Sequence, residues 1–286
     1  MNKILFHVER GIGDQACAEP TVRFAIELFP NADISVLTDY PLFFKHLKLA
    51  NIFTKKSQIQ NLAEYSVLKT FGDGPDCTTN CVDFSSLSAL RCQIPVDKRQ
   101  IKILPEFPDN PIVHEVCLND KHVVLHCNRN ESLKMKTFPK EFWNTVIDEL
   151  IANGKVPVLI GKTSGITGYV NTKSEGCIDL REKLSLNDVT FLLQHCHYVI
   201  SGDSFCVHLA SSGYAKIGFL SVWKHPDFIT HYRDGRWGWN MKNFSNGGVY
   251  YITEPGEYNY NPTYTPEPEF FVQQYLEWIE GGDERG

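Results

Sequence analysis

Four short stretches of this sequence set glycine beside charged or hydroxyl side chains directly after an apolar run. Arg10-Gly-Ile-Gly-Asp14 is the first. Gly11 and Gly13 let a backbone come close to a ligand, Arg10 adds a cation, and Asp14 stands where a helix begins. Its carboxylate fits two roles, a helix N-cap or a general base that takes a proton from a hydroxyl. The second stretch, Asn128 to Thr137, carries Arg129, Lys134 and Lys136 ahead of a helix. Three cations there suit a diphosphate clamp and suit a solvated loop equally. The third, Gly161-Lys-Thr-Ser-Gly-Ile-Thr167, is either the lining of a nucleoside pocket or a surface turn. It is not a P-loop, because Val156 stands where that motif has its first glycine. The fourth, Ser201-Gly-Asp-Ser-Phe-Cys-Val-His208, turns into a helix. Its backbone N–H groups suit a phosphate, Asp203 suits the cap, and His208 is a ligand contact or a satisfied structural histidine.

The elements that must position these loops alternate strand and helix. Lys3–Val8 reads as a buried parallel strand, followed by the first loop and a helix bearing Ala18, Val22, Ala25, Ile26 and Phe29. Asp33–Leu37 is the next strand, which completes a β-loop-α-β unit of a doubly wound sheet. Tyr65–Thr70 reads as a strand and Asp83–Arg91 as a helix. Residues 105–111 hold three prolines, which stop helix and central strand alike, so this stretch reads as a linker. A second block follows. Strands are expected at Lys121–His126, Lys155–Ile160, Tyr198–Ser201 and Lys216–Leu220, and helices after Pro139, over Leu186–Gln194 and from Gly202 onward. An amphipathic helix over residues 267–281 closes the chain. All four loops thus sit at strand C-terminal ends, where open α/β sheets bind ligands.

The chain has 286 residues, room for two domains, and a formal net charge of -6, which disfavours broad nucleic-acid binding. No apolar run approaches the roughly 20 residues of a membrane helix, and the start does not read as a signal peptide. Nine cysteines, an odd number, read as free thiols in a reducing, cytoplasmic setting. Cys77 and Cys81, and His195 and His197, lack the second half of a zinc spacing, so no metal site is expected.

With these residues in view, the chain resembles glycosyltransferase family 9, the bacterial heptosyltransferases, over about residues 3–220. Leu180 to Leu193 followed by His197 to Ser212 is similar to that family's L-x-x-x-x-S-L helix and its D-[ST]-G-x-x-H-L-A loop. Gly13-Asp14 is similar to its N-terminal G-D loop. Lys136 to Trp143 is similar to K-x-W-P-x-x-x-W, with Phe138 in place of the first tryptophan.

The resemblance implies a GT-B-like α/β fold, two Rossmann-like doubly wound domains facing a central cleft. The expected boundaries are 1–110 for the acceptor side, 111–265 for the nucleotide-sugar side, and 266–286 for a helix packing back toward the first domain. It implies transfer of a sugar from a nucleotide-diphosphate donor, a co-substrate, with no cofactor and no catalytic metal. Asp14 would be the general base. Arg129, Lys134, Lys136, Gly161, Asp203, Ser204, Cys206 and His208 would hold the donor, and Arg10, Gly11 and Gly13 would meet the acceptor, a glycan or another hydroxyl-bearing substrate.

Three departures bear on this. Phe205 replaces the usual glycine, the loop after Gly161 lacks the family's ribose-contacting glutamate, and the chain is short for a heptosyltransferase. The resemblance therefore carries the reaction class and leaves sugar and nucleobase open. Two rivals stand beside it. One is the same chemistry on hydroxymethylated DNA or another acceptor outside lipopolysaccharide, to which Arg233, Arg236, Trp237 and Trp239 would suit stacking on bases or on sugars. The other is a nucleotide- or sugar-binding protein without catalysis. Cys206, lying in the donor loop, is expected to be protected from alkylation by nucleotide.

Overall fold

The computed structural model describes residues 2–9, 11–69, 95, 98, 100–130, 137–163, 167–220, 232–233, 236–237, 241–243 and 267–281. The chain divides into two compact units, Met1–Glu106 with Asp227–Trp239, and Phe107–Pro226 with Asn240–Gly286. The expected helix at Asp83–Arg91 lies outside the described residues.

The first unit is built on a parallel sheet of β1 (Lys3–His7), β2 (Asp33–Leu37), β3 (Asn51–Phe53) and β4 (Tyr65–Lys69), in the order β3-β2-β1-β4. Residues Ile4, Leu5 and Phe6 of β1 are buried, as a central parallel strand requires. Helix α1 (Ile12–Leu28) follows at once. Inside it Pro20 cannot donate to the preceding turn, a defect that helices tolerate poorly. Tertiary bonds hold this helix in place. The fully buried Glu19 carboxylate accepts from Arg23 Nε at 2.7 Å and from the Lys102 backbone N–H at 2.9 Å, with His46 Nε2 at 3.2 Å. Arg23 in turn donates to the Gln100 carbonyl at 2.6 Å, which stitches the segment before the linker onto α1. A short antiparallel pair, Tyr232–Arg233 with Arg236–Trp237, is grouped with this unit rather than with the second domain expected for it. Trp239 lies outside the described residues.

The second unit contains α2 (Pro111–Leu118), β5 (His122–His126), β6 (Asn128–Asn130), α3 (Lys140–Ala152), β7 (Val156–Leu159), β8 (Thr167–Tyr169), β9 (Ile178–Asp179), α4 (Leu186–His195), β10 (Tyr198–Gly202), α5 (Phe205–Ser211) and β11 (Lys216–Leu220). The last strand, Met241–Asn243, completes a six-stranded sheet, and helix α6 (Pro268–Glu280) ends the unit. Counting only this sheet's strands in chain order, the arrangement across it is 3-2-1-4-5-6, all parallel. That is the dinucleotide-fold order, and its reversal point lies between β5 and β10.

Helix α6 is built into the core of the second unit. Phe271, Val272, Tyr275, Leu276 and Ile279 are buried with Trp143, Val146 and Ile147 of α3. The Tyr275 hydroxyl lies 3.1 Å from the Lys216 carbonyl and 3.3 Å from that of Val199. Its ring fills the space over Gly218, where a Cβ would come within 2.8 Å of Cδ2. The helix face that carries the apolar stripe is therefore buried within its own unit.

Candidate active site

At the end of β1, Gly11 is extended (φ -72°, ψ 172°) and serves as the N-cap of α1, so the helix starts at Ile12. This corrects the cap reading of Asp14. Asp14 is the third helical residue, and its Oδ2 accepts the Gly11 N–H at 3.2 Å. Gly11 and Gly13 flank Ile12 at this helix start, while Arg10 lies outside the described residues. One residue on, the buried Gln15 accepts from the Thr38 hydroxyl at 2.6 Å and donates to Asp39 at 3.4 Å. Beyond the C-terminal ends of β1, β2 and β3 is a cleft of about 310 Å³, lined among others by His7, Glu9, Thr38, Asp39, Lys55 and Lys56. His7 Nε2 and Glu9 Oε1 lie 3.2 Å apart on its wall.

In the second unit the switch point joins the fourth loop to a residue that sequence reasoning missed, His126. His126, the last residue of β5, is 4% exposed, and its Nδ1 lies 3.0 Å from Ser204 Oγ. Ser204 Oγ is also 3.0 Å from Ser201 Oγ and accepts the Cys206 N–H at 3.3 Å. Ser204, not Asp203, is thus the N-cap of α5, because its extended backbone (φ -149°, ψ 173°) aims the hydroxyl along the helix. The Phe205 ring meets the His126 ring edge-on at 5.2 Å. Burial pushes the His126 imidazole down to about 4, so it is neutral at physiological pH. Asn128 packs over Gly202 so closely that a Cβ there would meet Asn128 Oδ1 at 2.4 Å. The available signal was a histidine closing a strand whose three central residues are apolar, and the structure sets it opposite Ser201 in register.

Asp203 and His208 are buried, at 5% and 4% exposure. Cys206 is fully buried, and burial holds its thiol far above the usual range. That corrects the expectation of an alkylatable Cys206, since a thiol in an apolar core forms little thiolate.

The expected polar loop from Asn128 begins instead as β6, which pairs antiparallel with β8 at the end of the third loop. Arg129 is directly opposite Gly168. Two loops separated in sequence are therefore one structure. Gly161 (φ 147°) sits under the Tyr169 ring, and Arg181 covers that ring at 5.2 Å. Arg181 is fixed by a two-pronged pair with Asp179, at 2.9 and 2.6 Å, which holds the Asp179 carboxyl below its ordinary range. Glu182, at φ 59°, donates its N–H to the Gly161 carbonyl at 2.8 Å and accepts the Thr163 N–H at 2.7 Å. Lys134 and Lys136 lie outside the described residues. Among the described residues, no group of three or more His, Cys, Asp or Glu is placed to hold a metal ion, and no helix is long and apolar enough to cross a membrane.

Residues 88–216 match the family model described as glycosyltransferase family 9 (heptosyltransferase). Among solved structures, the glycosyl transferase family 9 protein from Veillonella parvula DSM 2008 is similar at a TM-score of 0.64 and 13% identity, over 98% of both chains. E. coli ADP-heptose lps heptosyltransferase II gives 0.63 and 12%, over 98% of this chain and 99% of that one. E. coli heptosyltransferase WaaC with ADP-2-deoxy-2-fluoro heptose gives 0.52 and 14%, over 96% and 99%. No curated protein matches the chain. At these identities the structural matches speak for the fold, and the family model speaks for the chemistry. The resemblance read from the sequence is borne out: residues 88–216 match the glycosyltransferase family 9 model, the fold is the GT-B-like α/β fold of the similar structures, and together they support a glycosyltransferase.

Proposed function

We propose that the chain transfers a sugar from a nucleotide-diphosphate donor to an acceptor hydroxyl, with Asp14 as general base and without a catalytic metal. The observation that carries this is the Ser201–Ser204 loop standing at the reversal point of a 3-2-1-4-5-6 sheet, where such sheets take nucleotides. The acceptor oxygen bonds to the sugar's anomeric carbon as the bond from that carbon to the diphosphate breaks. Asp14 receives the hydroxyl proton, and the nucleoside diphosphate leaves with the bonding pair. Arg129, Lys134 and Lys136 neutralise the leaving charge in this reading. Gly161 borders the nucleoside, Asp203, Ser204 and His208 form the opposite wall while Cys206 is buried in the core of the unit, and Arg10, Gly11 and Gly13 meet the acceptor. The six described cysteines are free thiols, in keeping with a cytoplasmic setting.

ADP is the first nucleotide to test, since one similar structure is WaaC with an ADP-heptose analogue. A thermal-shift panel of ADP, UDP, GDP, CDP and their sugar conjugates reads donor binding directly. A ligand of the folded state alone stabilises it by about 2.7 kcal/mol at one hundred times its dissociation constant. One nucleotide diphosphate is expected to raise the melting temperature, and Lys136→Ala to remove the rise. No response to any of them would overturn the donor reading.

A further inference from the structure

We propose that His126 is a positioning residue for this transfer: its Nδ1–H donates to the Ser204 hydroxyl and so fixes the Gly202–Ser204 loop in the shape that receives the donor. This rests on the reading that this loop holds the donor. The first support is place. His126 ends β5, and Ser201 ends the facing stretch of β10, across the sheet's reversal point. The second is cost. Val123, Val124 and Leu125 of the same strand are fully buried, and an apolar side chain would continue that pattern. A buried imidazole is costly unless bonded, and its bond goes to Ser204 at 3.0 Å.

The third support is the count of protons. Ser201 spends its one hydroxyl proton on the Gly202 carbonyl at 3.0 Å. Its oxygen therefore accepts from Ser204, whose own proton is then committed. The Cys206 N–H already donates to Ser204 Oγ. With the Ser201 proton on the Gly202 carbonyl and the Ser204 proton on Ser201, His126 supplies the hydrogen to Ser204 Oγ, which is the Nδ1–H tautomer of the proposal. The imidazole remains neutral, its value held near 4 by burial, and the edge-on Phe205 ring limits its rotation. At the same loop, Asn128 abuts Gly202. A loop held at both residues meets an arriving diphosphate without reorganising, which is where electrostatic catalysis gains.

Two readouts test this. In the wild-type chain, long-range proton–nitrogen NMR on nitrogen-15 histidine is expected to find His126 neutral and protonated on Nδ1 at pH 7. An Nε2–H form, or a charged ring, overturns the proposal. In variants, ADP affinity is measured by calorimetry, with circular dichroism to check the fold. His126→Leu is expected to weaken ADP by about tenfold or more, the loss of one buried hydrogen bond. His126→Asn, whose amide nitrogen stands where Nδ1 does, is expected to restore most of that loss. Ser204→Ala should weaken binding as His126→Leu does, and the double variant should be no worse than either, because the pair acts as a unit. A folded His126→Leu variant that binds ADP as the wild type does overturns the positioning role alone. A wild type that binds none of ADP, UDP, GDP and CDP overturns the donor reading and the role together.

Discussion

The ring of Tyr169 lies on Gly161 so closely that a Cβ at residue 161 would meet Tyr169 Cδ1 at 2.8 Å and Cβ at 3.0 Å. Tyr169 belongs to β8 and Gly161 follows β7, so this contact ties the end of one strand to the other. Arg181 covers the same ring, its guanidinium carbon 5.2 Å from the ring centroid. Both space and backbone demand glycine here, since φ is 147°, a region closed to other residues. Gly161→Ala is therefore expected to cost about 1–3 kcal/mol in urea unfolding, the usual scale for one strained residue. It should also weaken nucleotide binding, because Thr163 and Glu182 are bonded to the same turn. Unchanged stability would mean that the Tyr169 ring moves aside freely.

Asp14 combines a structural and a proposed chemical role, and the two separate by substitution. Its Oδ2 accepts the Gly11 N–H at the helix start. An amide retains an acceptor oxygen there, so Asp14→Asn is expected to lose less than about 1 kcal/mol of stability. As a general base an amide is useless, and turnover should fall by roughly 100-fold or more while nucleotide affinity stays level. Equal turnover in the two proteins would remove Asp14 from the mechanism.

Much of this fold is legible in the sequence because its signals are local. The apolar run at β1, the glycines after it and the polar-to-apolar rhythm of α4 need no knowledge of distant residues. The capping residues are harder. Asp14 and Asp203 look like caps, yet the preceding Gly11 and the following Ser204 hold the extended dihedrals, which sequence spacing does not encode. The β6–β8 pair was missed for a different reason. Asn128-Arg-Asn130 and Thr167-Gly-Tyr169 have no apolar alternation, and their pairing spans the whole α3–β7 excursion. The partner of His126 is likewise long-range, lying far along the chain on the loop after β10.

Cys206 gives a test of burial. Its side chain is in the core of the second unit, and its thiol is held well above the range where thiolate forms. Alkylation of the native protein at neutral pH is expected to spare Cys206 and Cys127, both buried, until the unit unfolds. Of the described cysteines, Cys177 is only partly buried and should react ahead of them. Mass spectrometry of labelled peptides against urea concentration reads this directly. Rapid labelling of Cys206 without denaturant would contradict the packing of α5.

The same burial makes His126 a source of acid sensitivity, with a sign that follows from the direction of its displacement. The imidazole's ordinary value of 6.5 falls to about 4 in the folded protein. Between those values the unfolded chain binds a proton that the folded chain refuses, so acidification favours unfolding. Above about pH 6.5 both forms are neutral and the effect vanishes; by about pH 4 it is nearly complete, on the order of 3 kcal/mol. His126→Asn has nothing to titrate there. Urea unfolding of the two proteins between about pH 7 and about pH 4.5 should therefore show the wild type losing stability faster. The difference between the curves, not the slope of either, isolates His126, because other histidines and the carboxylates are common to both. Parallel curves would mean that His126 binds its proton equally well in the folded and unfolded chain, which would overturn the depression of its pKa by burial.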